Sequence, residues 1–154
     1  MSVAGKNMTI TTNLKQLYET DDSLWLEETI KLLKQKQFNQ LDIENLIEEL
    51  ISLGKRDLAK AKSLLRQIMI HILLLQYWQV DYERNYRHWL GEIKTFRYDL
   101  NNHLTTNLMN KLQDDLENIN QSAIDFVQVK TDLTIFPKKC PYTLAQLLDN
   151  DYLP

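Results

Sequence analysis

The sequence predicts an all-α fold, an antiparallel helical bundle of about four main helices with one long helix and a short C-terminal helix. Three observations predict it. The 154 residues contain only three glycines and three prolines, too few for the many tight turns of a strand-rich domain. Leu, Ile, Lys, Gln, Glu and Asn dominate, and most of these except Asn tolerate helix well. Apolar residues recur at steps of three and four over long stretches, the period of a helix with one buried face.

Residues 1–13 are polar and without periodicity, and read as a flexible N-terminal tail. Residues 14–154 read as a single helical domain, a size that holds one continuous core without staples. The first helix is predicted to begin near Asp21–Ser23, where Asp21, Asp22 and Ser23 can all cap exposed amides. Glu27 and Glu28 follow at the positive end of the helix dipole. Leu26, Ile30 and Leu33 mark its inner face, with Trp25 beside it, and it ends near Lys36. Asp42 reads as the next N-cap, though Asn45 stands where a full capping box has glutamate or glutamine. From there Ile43, Ile47, Leu50, Gly54, Leu58, Ala61, Leu65, Ile68, Ile72 and Leu75 keep one phase, which predicts a single long helix over 43–78. Gly54 is the position where it would kink, since glycine costs about 1 kcal/mol against alanine in a helix interior.

After a short polar connection over 79–83, a third helix is expected from about Arg84 to Asn102, on the stripe Tyr86, Trp89, Ile93, Phe96 and Leu100. A fourth, capped by Thr105 or Thr106, runs to about Lys130 with Leu108, Leu112, Leu116, Ile119, Ala123 and Phe126 inward, and Val127 at the margin. The last segment, 136–154, carries all three prolines. Thr143 and Gln146 form a capping box for a short helix through Leu148, and Pro137 and Pro141 stiffen the approach to it.

Composition excludes more functions than it suggests. The one cysteine, Cys140, forbids an internal disulfide and a multi-cysteine zinc site and fits a reducing cytoplasm. There is no signal peptide pattern, and the longest apolar run, Ile68–Leu75, is far short of the ~20 residues that span a bilayer. No membrane association is expected. The net charge of −3 gives no support to a nucleic-acid partner. Three glycines leave no room for a Walker loop, a dinucleotide fingerprint or a nucleophile elbow, and no cofactor is expected.

Several stretches together resemble a bacterial family known as domain-of-unknown-function family twenty-nine. They are Tyr18-Glu19-Thr20-Asp21 followed by Trp25-Leu26-Glu27-Glu28; Asp42 to Leu50 followed by Ser52-Leu53-Gly54; His71-Ile72-Leu73-Leu74 with Gln76-Tyr77; Trp89, Ile93 and Arg97; and Phe136-Pro137, Cys140 to Leu144, Leu147-Leu148-Asp149 and Leu153-Pro154. The landmarks cover residues 17–154 in order. The resemblance implies a compact helical fold and no particular activity. The chain departs from the family at Val80, where proline is usual, and at His88, where serine is usual.

Each residue that suggests chemistry also has a plain reading. His71 lies beside the apolar stripe of the long helix, and imidazole is the proton carrier of neutral pH. A lone histidine in that setting is more often a hydrogen-bonded core or interface residue, and no second histidine stands four positions on to share a metal. Arg66 and His71 have the Arg-x-x-x-x-His spacing used by helical ribonucleases of the HEPN type, in which histidine moves a proton and arginine steadies phosphate charge. A five-residue step turns about 140° around a helix, which separates the two side chains. Glu44, Glu48 and Glu49 supply carboxylates, but there is no Glu-x-x-His for a di-metal site, so they read as a solvated acidic face with Glu49 a binding candidate. Between Tyr77 and Tyr98, aromatics alternate with Arg84, Arg87, Lys94 and Arg97, as in single-strand nucleic-acid binders. Asp81, Glu83 and Glu92 offset those bases, and Trp89 falls on the buried stripe. Arg87, Trp89 and Arg97 are the binding candidates there. Lys55, Arg56, Lys60, Lys62 and Arg66 form a second basic block, suited to pairing with the acidic 42–49 segment of a neighbour.

The function read from the sequence is therefore a helical protein-interaction module, with a protein partner or self-association into a homo-oligomer. A helix of about 36 residues is ~54 Å long and outruns its own bundle. The alternative is a nucleic-acid-binding protein or metal-independent ribonuclease using Arg66 and His71.

Overall fold

The computed structural model describes residues 14–80 and 82–154. The tail expected over 1–13, and Asp81 in the charge balance above, lie outside the described residues. Every regular element is helical, with no strand among the described residues. The helices are α1 over residues 14–20, α2 (Asp22–Lys34), α3 (Ile43–Tyr77), α4 (Tyr82–His103), α5 (Thr106–Asp114), α6 (Leu116–Thr131) and α7 (Leu144–Leu148), with a 3₁₀ turn at Phe38–Gln40. The chain divides into two compact units between Lys55 and Arg56.

The first unit is built around Trp25. Leu14, Trp25, Leu32 and Leu41 are buried together, with Leu17, Tyr18 and Leu46 packed against them. The indole Nε1–H donates to Asp42 Oδ2 at 3.3 Å, which Asn45 Nδ2 also approaches at 2.6 Å. Thr29 is buried one turn further on. It is tolerated there because its hydroxyl donates to the Trp25 carbonyl at 2.7 Å. The inward face of α2 is thus Trp25, Thr29 and Leu32, and the expected face of Leu26, Ile30 and Leu33 is exposed. The widest side chain, and the one with a polar atom to satisfy, sets the rotation of the helix. Asp21 caps α2 through Leu24 N–H at 3.0 Å. The helix stops at Lys34, with Lys36 in the left-handed region at φ 55°, two residues before the expected end. Helix α1 was not expected. Its Lys15 and Tyr18 pair with Glu44 (3.7 Å) and Glu49 (2.8 Å), an ascending order that sets α1 parallel to the start of α3.

Helix α3 runs through Gly54 without a break, as its unbroken phase predicted. Its stripe does not have one fate, however. Ala61, Leu65, Ile68 and Ile72 are buried, whereas Ile43, Ile47 and Leu50 are exposed.

The second unit holds the larger core. His71 meets Phe96, Trp78 meets Trp89, and His103 Nε2 lies 2.9 Å from the Asp57 carbonyl. One residue of each pair rises as the other falls, so α4 runs antiparallel to α3. Lys62 meets Asp115 and Arg66 meets Ser122 in ascending order, so α6 runs parallel to α3. The expected fourth helix is two helices. At Asp115 the backbone leaves the helical region (φ −104°, ψ 9°), while the carboxylate is held by Lys62 at 2.8 Å and Asn118 at 2.7 Å. An aspartate mid-helix that finds side-chain partners competes with the backbone ladder. Thr105 is the N-cap of α5. In α6 Ile124 and Val127 are buried and Phe126 is exposed, the reverse of the expected weighting. The Thr143–Gln146 capping box forms as predicted. Helix α7 docks on α4, where Arg97 Nε donates to the Leu147 carbonyl at 2.8 Å and Asn101 Nδ2 to the Leu148 carbonyl at 3.1 Å.

Candidate functional site

The first unit leaves a large apolar surface in water. Leu24, Leu26, Ile30, Leu33, Phe38, Ile43, Ile47, Leu50, Ile51 and Leu53 are each at least 40% exposed. Among the described residues of the second unit seven large apolar side chains are as open. On α2 the buried row Trp25, Thr29, Leu32 and the exposed row Leu26, Ile30, Leu33 lie about 100° apart around the axis. On α3, Ile43, Ile47, Leu50 and Gly54 share one face within about 60°, and a Cβ built on Gly54 meets nothing within 4 Å. Apolar residues scattered singly on a surface are ordinary, but Leu26, Ile30 and Leu33 line one face of α2 and Ile43, Ile47 and Leu50 one face of α3, while Leu24 stands on the far side of α2. One signal in the sequence could have revealed this surface. Six apolar side chains lie in α2 (Leu24, Trp25, Leu26, Ile30, Leu32, Leu33), spread over too wide an arc for one buried face.

The second unit carries a cleft of about 480 Å³, lined by His71, Trp78, Asn85, His88, Trp89 and Lys130 among others. His71 Nδ1 lies 2.7 Å from the Gln67 carbonyl, so in the neutral ring the proton sits on Nδ1 and Nε2 is the acceptor. Burial pushes the His71 pKa below its ordinary 6.5. His88 and Lys130 act in the same direction, while the Gln67 bond and Glu92 oppose it. The cleft has hydrogen-bonding and cationic groups but no lining carboxylate. No group of three or more His, Cys, Asp or Glu side chains suited to a metal occurs among the described residues.

The residues singled out in the sequence are dispersed. Arg66 does not line the cleft. Its Nε donates to Ser122 Oγ at 2.8 Å, its guanidinium lies 5.5 Å from the Phe126 ring centre, and it lines a separate hollow of about 280 Å³ with Lys62 and Asp115. Phe126, which Arg66 contacts, lines the His71 cleft. Arg97 is buried, with its pKa lowered by burial against the opposing pull of Asp149 and Tyr152, and among the described residues its hydrogen bonds go to α7 carbonyls. Arg87 is exposed on α4. Trp89 is a core residue, stacked on Trp78 with centroids 5.9 Å apart and edge-on to Tyr82. Glu49 accepts the Tyr18 hydroxyl at 2.8 Å and holds that phenol's pKa above its ordinary value. Cys140 has its pKa raised by burial and donates to the Tyr142 carbonyl at 3.3 Å, the state of an inert thiol.

Fold and site together define an all-α helical bundle protein in which the side chains that suggest chemistry serve mainly to hold helices together. The family model of the domain of unknown function DUF29 matches residues 17–153, and the chain belongs to that family. No curated protein and no solved structure matches it. No helix among the described residues is long and apolar enough to cross a membrane.

Proposed function

We propose that the chain is a helical protein-interaction module whose docking surface is the open apolar side of α2 and the first turns of α3. The observation that carries this reading is the run of ten exposed large apolar side chains between Leu24 and Leu53. Left in water, apolar surface costs free energy on the scale of about 25 cal/mol per Å², and rows of exposed apolar side chains on one helix face suit the docking of another macromolecule. The charges nearby in the chain suit recognition of protein. Lys31, Lys34, Lys36 and Lys55 stand in the same stretch of chain as Glu27, Glu28, Glu44 and Glu48, a mixed charge set that no polyanion would select.

Those lysines supply the test. Lysine-directed cross-linking in extracts of the source cells, read by mass spectrometry, should give intermolecular links from Lys31, Lys34, Lys36 or Lys55. An Ile47→Glu/Leu50→Glu variant, altered only at exposed positions, should lose them while keeping its helical circular dichroism. Links confined to lysines of the second unit, or links the variant retains, would remove the reading.

A further inference from the structure

We infer that the partner of α2 is α2 of a second copy of this chain, packed antiparallel across a two-fold axis near Ile30. The inference rests on the interaction reading above and adds the identity of the occupant. It starts from the outward row Leu26, Ile30, Leu33, whose members fall within about 60° of one another and are all exposed. One side of this row adjoins the buried face of Trp25, Thr29 and Leu32. The other side carries Glu27 and Lys34, within about 20° of each other on the wheel. Neither has a salt-bridge partner among the described residues.

In an antiparallel pair of identical helices, position n of one copy faces roughly position 60 − n of the other when the axis passes near residue 30, and each flank faces the same flank of its mate. Leu26 then faces Leu33 of the second copy, and Ile30 faces Ile30. On the outer flank Glu27 faces Lys34 of the second copy, twice by symmetry. In a parallel two-fold pair opposite flanks meet, which sets Glu27 and Lys34 against the Trp25 side of the mate and out of reach of one another, so the charges favour the antiparallel orientation. The helix dipoles agree, since antiparallel helices set opposite ends side by side. One set of four residue types thus satisfies apolar register, charge and dipole with a partner of identical sequence.

A 13-residue helix presents a modest surface, and interfaces below about 1,200 Å² belong to weak associations. The full chain should therefore be followed by sedimentation velocity over a concentration series reaching about 1 mM, the Kd of a feeble complex. A reversible monomer–dimer equilibrium is expected. Glu27→Lys should weaken it about tenfold, because two exposed pairs change from attraction to repulsion. Adding Lys34→Glu should restore it to within about threefold of the unaltered chain. With Cys140 replaced by Ser, Ile30→Cys should form a disulfide-linked dimer under mild oxidation. Leu24→Cys, on the opposite side of the helix and also exposed, should not. A chain that stays monomeric throughout, a dimer indifferent to Glu27→Lys, or a double variant no better than the single one overturns the inference. If the pure chain is monomeric while cross-links from Lys31 to Lys55 reach a different polypeptide, the second copy is refuted and the interaction reading stands. If neither appears, both fall.

Discussion

Arg97 shows how a residue that looks like a ligand-binding base is spent on architecture. Its guanidinium is buried and reaches the Leu147 and Gln146 carbonyls at 2.8 and 3.3 Å, the carbonyl end of α7 where a cation is favoured. Hydrogen bonds to a charged group contribute about 1.5–3 kcal/mol. Arg97→Met should lower stability by that amount in urea denaturation and make the chain after Pro141 the first site of proteolytic cleavage. Asn120 is the opposite case. It is fully buried, and neither side-chain polar atom has a hydrogen-bond partner among the described residues. An unsatisfied buried polar group costs about 1–3 kcal/mol, so Asn120→Leu should raise the thermal midpoint by several degrees, at about 2–4 °C per kcal/mol for a chain this size. His71 sets a pH dependence of known sign. Burial depresses its pKa below 6.5, so the unfolded chain takes up a proton first as pH falls. The contribution of His71 is complete above about 6.5 and is lost as pH drops through that value toward the lower folded pKa. Midpoints measured at pH 7.5 and 5.5 should differ less in His71→Gln than in the unaltered chain; an equal difference would show that carboxylates alone carry the slope.

Among the elements, α3 was the most legible because its periodicity is long and unbroken, and periodicity survives a single glycine. Nothing lies within 4 Å of a Cβ at Gly54, and its backbone is helical. Gly54→Ala should therefore stabilise by about 0.5–1 kcal/mol in thermal unfolding; a loss instead would reveal a close neighbour at that position. The Thr143–Gln146 cap was legible for a similar reason, being a local pattern with a local consequence. What pattern could not supply was the choice between two apolar rows on one helix. On α2 both Trp25/Thr29/Leu32 and Leu26/Ile30/Leu33 have helical spacing. The decision falls to a long-range hydrogen bond, from the Trp25 indole to Asp42, seventeen residues away. The same blindness applied to Asp115, where a contact with Lys62, fifty-three positions earlier, ends one helix and starts the next. Helix α1 went unread because its apolar residues, Leu14 and Leu17, are too few to establish a period without Tyr18 and Glu49 beside them. The chemistry-bearing candidates are dispersed for a related reason. Spacing along one helix said nothing of Ser122, Phe126 and the α7 carbonyls that claim Arg66 and Arg97.

At the scale of the molecule, the two units are unequally furnished, and the second copy enters their energetics. Among the described residues the first unit buries four apolar side chains, Trp25 among them, and the second buries twenty-three, Trp89 among them. Apolar burial is the dominant favourable term in folding, so the first unit is the less stable. The three tryptophans divide accordingly, with Trp25 in the first unit and Trp78 and Trp89 stacked in the second. In the chain labelled with 5-fluorotryptophan, ¹⁹F resonances read the units separately as urea is added. The Trp25 signal should pass to its unfolded position at lower urea than the other two. A partner that binds only the folded first unit stabilises it by mass action, by up to about 2.7 kcal/mol when the partner stands at a hundred times its Kd. Raising the protein concentration from well below to well above the dimer Kd should therefore move the Trp25 midpoint upward while those of Trp78 and Trp89 change far less. Glu27→Lys, by weakening the pairing of α2 with its second copy, should reduce the shift. Three coincident transitions would mean that the units unfold as one cooperative block, and a Trp25 midpoint indifferent to concentration would separate the exposed row on α2 from any contact between copies.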